Sequence, residues 1–191
     1  MTPLRKSMIL AALALPLQLA PNGAQAHELP ADRLTLVQRD ATHLSLQLYV
    51  DLPALMHRCL SPQTPAAAFM LALSSQSPAE LESAVRALRT CVEPKLRLRR
   101  EGAPLQIASW RWPSVARIHS LLQQRTMQLV VAPSDHAHDP PEEITADAVS
   151  ADGMSALSLE LPPELQPLML VNYRPRQRWI DRSSGPIPVA F

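Results

Sequence analysis

Apolar and polar residues alternate in several short segments of the chain, and this alternation is the clearest pattern in the sequence. Residues 43–50 show it best, because every second position is leucine or valine and the positions between them are mostly polar. A strand with this pattern buries one side and exposes the other. Comparable short apolar segments lie at 34–37, 96–107, 127–131, 144–149, 157–161 and 167–173. Their recurrence, with turn residues between them, predicts a mainly β fold, an antiparallel β-sandwich of the Ig-like type.

A different spacing interrupts this pattern between residues 52 and 92. Asp51 stands before an apolar segment in the position of a helix cap, and the motif from Ser77 to Glu80 forms a capping box with proline at the first helical position. Apolar residues then return every three or four positions, at Leu81, Ala84, Val85, Leu88 and Val92. This period is that of an amphipathic helix. We therefore expect a short helical insertion near residues 52–92 of the sandwich.

The N-terminal segment has the composition of a secretory leader. A short basic start is followed by an apolar stretch at 8–20 and by the small residues Ala24 and Ala26, which form a typical cleavage pattern. We predict cleavage after Ala26, so that residues 1–26 are a signal peptide and residues 27–191 form one periplasmic domain. An uncleaved anchor helix is the alternative, but the apolar run is short for a membrane span.

Charge and hydropathy limit the partners of the exported chain. Once Arg5 and Lys6 leave with the leader, 16 basic residues face 17 acidic ones, so we expect no nucleic-acid partner. No later stretch approaches the roughly 18 apolar residues of a membrane span. We therefore expect no membrane span in the mature chain.

Cys59 and Cys91 are the two cysteines of the sequence. In an exported protein two cysteines usually pair, so we predict a disulfide between them. In the chain-entropy model such a bond, closing a loop of about 32 residues, would stabilise the fold by roughly 3–4 kcal/mol. Two separate buried thiols, or a copper or zinc site that uses both sulfurs, are the alternatives.

Three histidines are candidate metal ligands. Cleavage after Ala26 would leave His27 at the N-terminus, where its amine and imidazole can chelate one copper ion. His136 and His138 lie in an acidic loop and could present two further imidazoles to a metal. These residues support an alternative function, a periplasmic copper- or nickel-binding protein. The competing interpretation is a solvated loop and a terminal histidine without a ligand.

Catalytic motifs are incomplete throughout the sequence. Residues 152–156 contain half of a nucleophile elbow but lack its second glycine. Residues 27–30 start like a zinc-protease motif, but a proline follows and no histidine stands at position 31. The two cysteines are too far apart for a redox CxxC motif. We therefore predict that the protein is not an enzyme and has no catalytic residues.

Three stretches resemble a known family. The predicted mature start Ala26–Leu29, the segment Leu34–Leu60 and the segment Leu161–Phe191 are similar to the extracytoplasmic N-terminal domain of HupE/UreJ-type membrane proteins, which are related to hydrogenase and urease accessory permeases. Trp179 matches a tryptophan of that domain, and Ser184–Pro186 matches its Ser-x-Pro motif.

The resemblance implies a β-hairpin followed by a helix, and a domain that works next to a membrane permease. The membrane spans of the family, with their nickel-binding histidines, have no counterpart in this sequence. The resemblance therefore implies a stand-alone periplasmic relative. Our first prediction is an exported, non-enzymatic accessory or interaction module that acts beside a HupE/UreJ-type membrane partner.

Overall fold

A computed structural model describes residues 32–131, 140–154 and 156–175, with the side chains at positions 130 and 131 left out. In chain order the elements are β1 (Arg33–Gln38), β2 (His43–Val50), α1 (Leu52–Leu60), α2 (Ala66–Ser74), α3 (Pro78–Val92), β3 (Arg97–Arg100), β4 (Ala103–Arg111), α4 (Val115–Val131), β5 (Glu142–Val149), β6 (Leu157–Glu160) and β7 (Met169–Tyr173), with a short 3-10 turn at Pro163–Leu165.

The seven strands form one sheet in the order β6-β3-β4-β5-β2-β1-β7. All neighbouring strands are antiparallel except β1 and β7, which run parallel. The sheet curls into a half-barrel, and β6 and β7 are its two edges. The predicted antiparallel Ig-like β-sandwich is therefore wrong, and the fold is mixed α/β.

The helices explain why the sandwich prediction failed. Leu46 and Leu48 of β2 are buried in one cluster with Leu55 of α1, Leu88 of α3 and Leu122 of α4. Helices thus cover the apolar inner face of the sheet where a sandwich would have a second sheet. An alternating strand indicates that one face is buried, but it does not indicate what covers that face.

The predicted helical insertion is present as α1, α2 and α3. The capping box at the start of α3 is formed, because the Ser77 side chain accepts from the Glu80 N–H at 3.4 Å and the Glu80 carboxylate accepts from the Ser77 N–H at 2.8 Å. Asp51 caps α1 by accepting from the Ala54 N–H at 3.0 Å. These local signals act within one turn, which makes them readable from sequence.

The prediction of a buried strand at 127–131 is wrong, because these residues end helix α4. Ile118, Leu121 and Leu122 are buried with helical spacing, and the Thr126 hydroxyl donates to the Leu122 carbonyl at 2.8 Å. The β-branched residues near position 130 favour a strand locally. Packing of the preceding helical turns against the core overrides this local preference, and the segment is helical.

The disulfide between Cys59 and Cys91 is confirmed. It joins the last turn of α1 to the last turn of α3, with Cα atoms 6.0 Å apart. Both residues are partly buried, and Cys59 packs against the core. The bond therefore links two helices that both pack on the sheet.

Among the described residues, no helix combines the length and the apolar character that crossing a bilayer requires.

Candidate functional site

An open groove lies between the two edge strands. Its volume is about 680 Å³. It is lined by Leu36, Gln38, Leu44, Leu98, Met154, Leu157, Leu159, Leu170, Asn172, Tyr173 and Arg174. Because residues of both β6 and β7 line it, the curl of the sheet brings its two edges to opposite sides of one cavity.

The floor of the groove belongs to the hydrophobic core. Leu36, Leu44, Leu98 and Met154 are all buried there. Leu36 lies beside Asn172 in the β1–β7 register, and Leu98 lies beside Leu159 in the β3–β6 register. The groove is therefore built on paired strands, and its floor is fixed by the packing of the whole domain.

The walls of the groove are apolar and partly open. Leu157 and Leu159 of β6 are half-buried, whereas Leu170 of β7 is 47% exposed. No described helix residue lines this part of the sheet. The strand alternation thus continues beyond the area that the helices cover, and the leucine side chains of both edge strands stay partly accessible to solvent.

The two edges carry unpaired backbone groups. Within the described residues β7 pairs only with β1, and β6 pairs only with β3. An unpaired edge can accept a further strand, and proteins usually protect such edges with charges, proline or a bulge. The five residues of β7, Met-Leu-Val-Asn-Tyr, contain no charge and no proline.

Polar groups stand at one end of the groove. Gln38, Asn172 and Arg174 lie there, and none of their side chains has a hydrogen-bond or ion-pair partner among the described residues. Arg174 is exposed, so it presents a positive charge beside an apolar surface. This combination suits a ligand that is mostly apolar and carries a negative charge.

The outer face of the sheet is different, since its polar side chains are paired. Ser45 donates to Asp147 at 3.1 Å, and Arg111 donates to Thr145 at 2.9 Å. Tyr49 donates to Glu143 at 2.9 Å, and burial together with this carboxylate raises the pKa of Tyr49. This face therefore forms a satisfied polar surface, which is the ordinary state of a solvated sheet.

A second polar cluster holds the helices to the sheet. Arg58 of α1 pairs with Asp32 at 2.7 Å, and Arg125 of α4 pairs with Asp51 at 2.7 Å. The carboxylate of Asp32 also accepts from the Asp51 N–H at 3.0 Å. Lys95 pairs with Glu164 at 2.8 Å, which lowers the pKa of Glu164. Because each of these carboxylates already has a cationic partner, the cluster explains the attachment of helices better than any reaction.

The described histidines make local contacts. The Nε2 atoms of His57 and His119 lie 2.6 Å and 3.0 Å from backbone carbonyl oxygens. His43 contacts Asp40 at 2.8 Å. Within the residues that the structure describes, no group of three His, Cys, Asp or Glu side chains could hold a metal ion.

The predicted metal ligands His27, His136 and His138 lie outside the described residues. The structure therefore does not test the copper or nickel hypothesis, which stays a prediction. Trp179 and Ser184–Pro186, which carry part of the family resemblance, lie outside the described residues as well.

Sequence reasoning did not find the groove. The alternation at 157–161 and 167–173 identified both edge strands, but nothing local showed that they face each other. Arg174 directly follows β7, but no local pattern in the sequence assigns it to a site. Comparison of the chain with known protein families, with characterised proteins and with solved structures finds no match.

Proposed function

We propose that this chain is an exported, non-enzymatic interaction module that uses the groove between β6 and β7 to bind a HupE/UreJ-type membrane partner. The observation that carries the proposal is the groove itself, an open cavity of about 680 Å³ with leucine walls and polar groups at one end, on a sheet whose inner face is otherwise packed against helices. Concave sites that combine apolar walls with a few polar groups are typical of binding sites.

The chemistry of the groove supports binding over catalysis. Tyr173 and Arg174 are the two ionisable residues among its lining side chains. General acid–base or nucleophilic chemistry commonly requires a histidine, a carboxylate or an activated hydroxyl with a base within hydrogen-bond reach. The groove instead offers leucine side chains, amides and strand edges, which are groups that recognise a partner.

The disulfide supports the exported location. A cystine that links two helices is stable in the periplasm, whereas reducing systems keep most cytosolic thiols reduced. This agrees with a leader that ends at Ala26. The family of the partner rests on the resemblance of residues 26–60 and 161–191 to the HupE/UreJ-type extracytoplasmic domain.

Site-directed photocrosslinking in the periplasm tests this proposal. A photoreactive amino acid at Leu159, in the groove wall, should crosslink the chain to a multispanning membrane protein, which mass spectrometry then identifies. The same group at Ala87, an exposed position on α3, is the matched control and should give no such product. Crosslinks to the same proteins from both positions, or no membrane protein from Leu159, would contradict the proposal.

A further inference from the structure

We infer that the groove accepts an extended peptide segment as an additional strand, paired with the outer edge of β7, and that this segment has alternating apolar side chains and a carboxylate that meets Arg174. This inference rests on the proposed function and specifies the chemistry of the partner segment.

The geometry of the sheet provides the place for a strand. Seven strands curl so that both edges line one cavity. Adjacent strands lie about 4.7–4.9 Å apart, so one extended chain fits against an open edge. Eight strands are the number at which small closed barrels have a filled interior. An added strand would thus continue the half-barrel and cover its exposed apolar wall.

β7 offers the hydrogen-bonding groups for this pairing. Met169 donates its N–H to the Asp32 carbonyl at 3.1 Å, on the β1 side. Successive residues of a strand direct their backbone groups to opposite edges, so Leu170 and Asn172 direct N–H and C=O away from β1. Neither residue has a partner for these groups among the described residues.

The opposite edge is less suitable as the main acceptor. β6 has four residues, and its Glu160 is held by Arg99 at 2.8 Å. β7 has five residues, one more than β6, and none of them is charged. We therefore assign the hydrogen bonds to β7 and the side-chain contacts to the leucines of β6.

The side chains of the groove define the sequence of the bound segment. Leu157, Leu159 and Leu170 form apolar walls, and every second residue of an extended chain points to the same side. Apolar residues at alternate positions would therefore enter the groove. Arg174 stands at its end without an ionic partner among the described residues, so a glutamate or aspartate near one end of the segment would complete the match.

A fatty acid would satisfy the leucine walls and Arg174, but its chain offers no groups that pair with the outward N–H and C=O groups of Leu170 and Asn172. A peptide satisfies all three features. Main-chain pairing with an exposed sheet edge is also an established mode of peptide recognition. The structure therefore favours a peptide strand over an acyl chain.

The test measures binding of a labelled synthetic peptide, acetyl-Glu-Val-Thr-Val-Thr-Val-amide, to the trimmed protein with its disulfide intact. Asn172→Pro removes an N–H that faces away from β1, which a strand tolerates only at such an edge position. We expect Asn172→Pro to weaken binding about tenfold or more, because pairing with the edge is lost. Asn172→Ala removes the same side chain but keeps the N–H, so it is the matched reference against which the loss of affinity in Asn172→Pro is measured.

A second variant tests the charge. Arg174→Gln should weaken binding of the glutamate peptide several-fold, while a peptide with glutamine in place of glutamate should bind both proteins alike. Thermal unfolding of all variants shows whether the fold is kept. If Asn172→Pro fails to fold, a peptide N-methylated at every valine and threonine replaces the variant, since it lacks the backbone donors of these residues at both strand edges and should not bind.

Three results would overturn the inference. The first is equal peptide affinity for Asn172→Pro and Asn172→Ala. The second is lauric acid binding that is tighter than peptide binding and displaces the peptide. The third is a crosslink from Leu159 to residues 176–191 of the same chain. If the membrane-protein crosslink persists in any of these cases, the interaction module stands and only the strand mode fails. Loss of that crosslink refutes the proposed function itself.

Discussion

At the scale of single residues, Asp40 shows how one carboxylate organises the turn between β1 and β2. It accepts from the Thr42 N–H at 2.7 Å and from the His43 N–H at 2.9 Å. The Thr42 N–H, with the His43 side chain as the next contribution, holds the pKa of Asp40 well below its usual range. The turn is thus tied to the ionised form of a single side chain.

This lowered pKa predicts an acid-dependent stability. Because the folded pKa is lower than the unfolded one, the stabilisation is complete above the ordinary carboxyl range of about pH 4 and is lost as the pH falls further. Asp40→Asn should therefore lower the melting temperature at neutral pH. The difference in melting temperature between the variant and the unchanged protein should become smaller below about pH 4. Thermal unfolding from pH 7 to pH 2 measures this.

Glu101→Gln is the matched control, because the Glu101 side chain is exposed and has no partner among the described residues. It should follow the unchanged protein at every pH. A melting-temperature difference for Asp40→Asn that stays constant down to pH 2 would show that the charge of Asp40 does not act through this turn.

At the scale of elements, the disulfide makes α1 and α3 one unit. Cys59 and Cys91 stand at the ends of the two helices, 32 residues apart in sequence. Replacing both by alanine should lower the free energy of unfolding by roughly 3–4 kcal/mol, because the unfolded chain loses a constraint on its loop. Urea unfolding of the oxidised protein and of the double variant measures the difference.

Reductant provides the internal control for this prediction. It should destabilise the unchanged protein to about the level of the double variant and leave the double variant as it is. Equal stability of the unchanged protein and the double variant, each measured with and without reductant, would contradict the prediction.

The elements also show how far sequence patterns reach. The capping box at Ser77 predicted the start of α3, because its signal and its hydrogen bonds lie within one turn. Residues 127–131 were assigned to a strand, because five residues cannot reveal a helix that is stabilised by contacts with α2. Ser74 of α2 contacts Thr126 and His119 of α4, and these partners are more than 40 residues apart in sequence.

At the scale of the whole molecule, the candidate site was beyond the reach of sequence reasoning. The groove exists because Leu157 on β6 and Leu170 on β7 lie at opposite edges of one curled sheet. The alternation predicted both strands, but it holds no information on strand order or curl. Pairing partners such as Leu34 and Leu170 are set by the packing of the entire chain.

The metal hypothesis also concerns the whole mature chain, since His27 and the pair His136 and His138 are far apart in sequence. If this alternative holds, the trimmed protein binds Cu²⁺ more tightly than micromolar. If Ala26 is retained, the nitrogen of His27 is part of a peptide bond and no longer a free amine, so the affinity for Cu²⁺ should be weaker. Replacing His136 and His138 by alanine should also weaken this affinity. Calorimetric titration measures this, and equal micromolar binding by all three proteins would refute the site.

The parallel pair β1–β7 has a consequence for how the molecule is made. Residues 33–38 leave the ribosome or a translocation channel first, but their neighbour at 169–173 follows more than 130 residues later. Until residues 169–173 have been synthesised, one edge of β1 is unpaired and Leu36 remains uncovered. Such an unpaired edge can pair with other chains and cause aggregation. A holding chaperone during biogenesis would protect this intermediate, and truncation before residue 169 should increase aggregation.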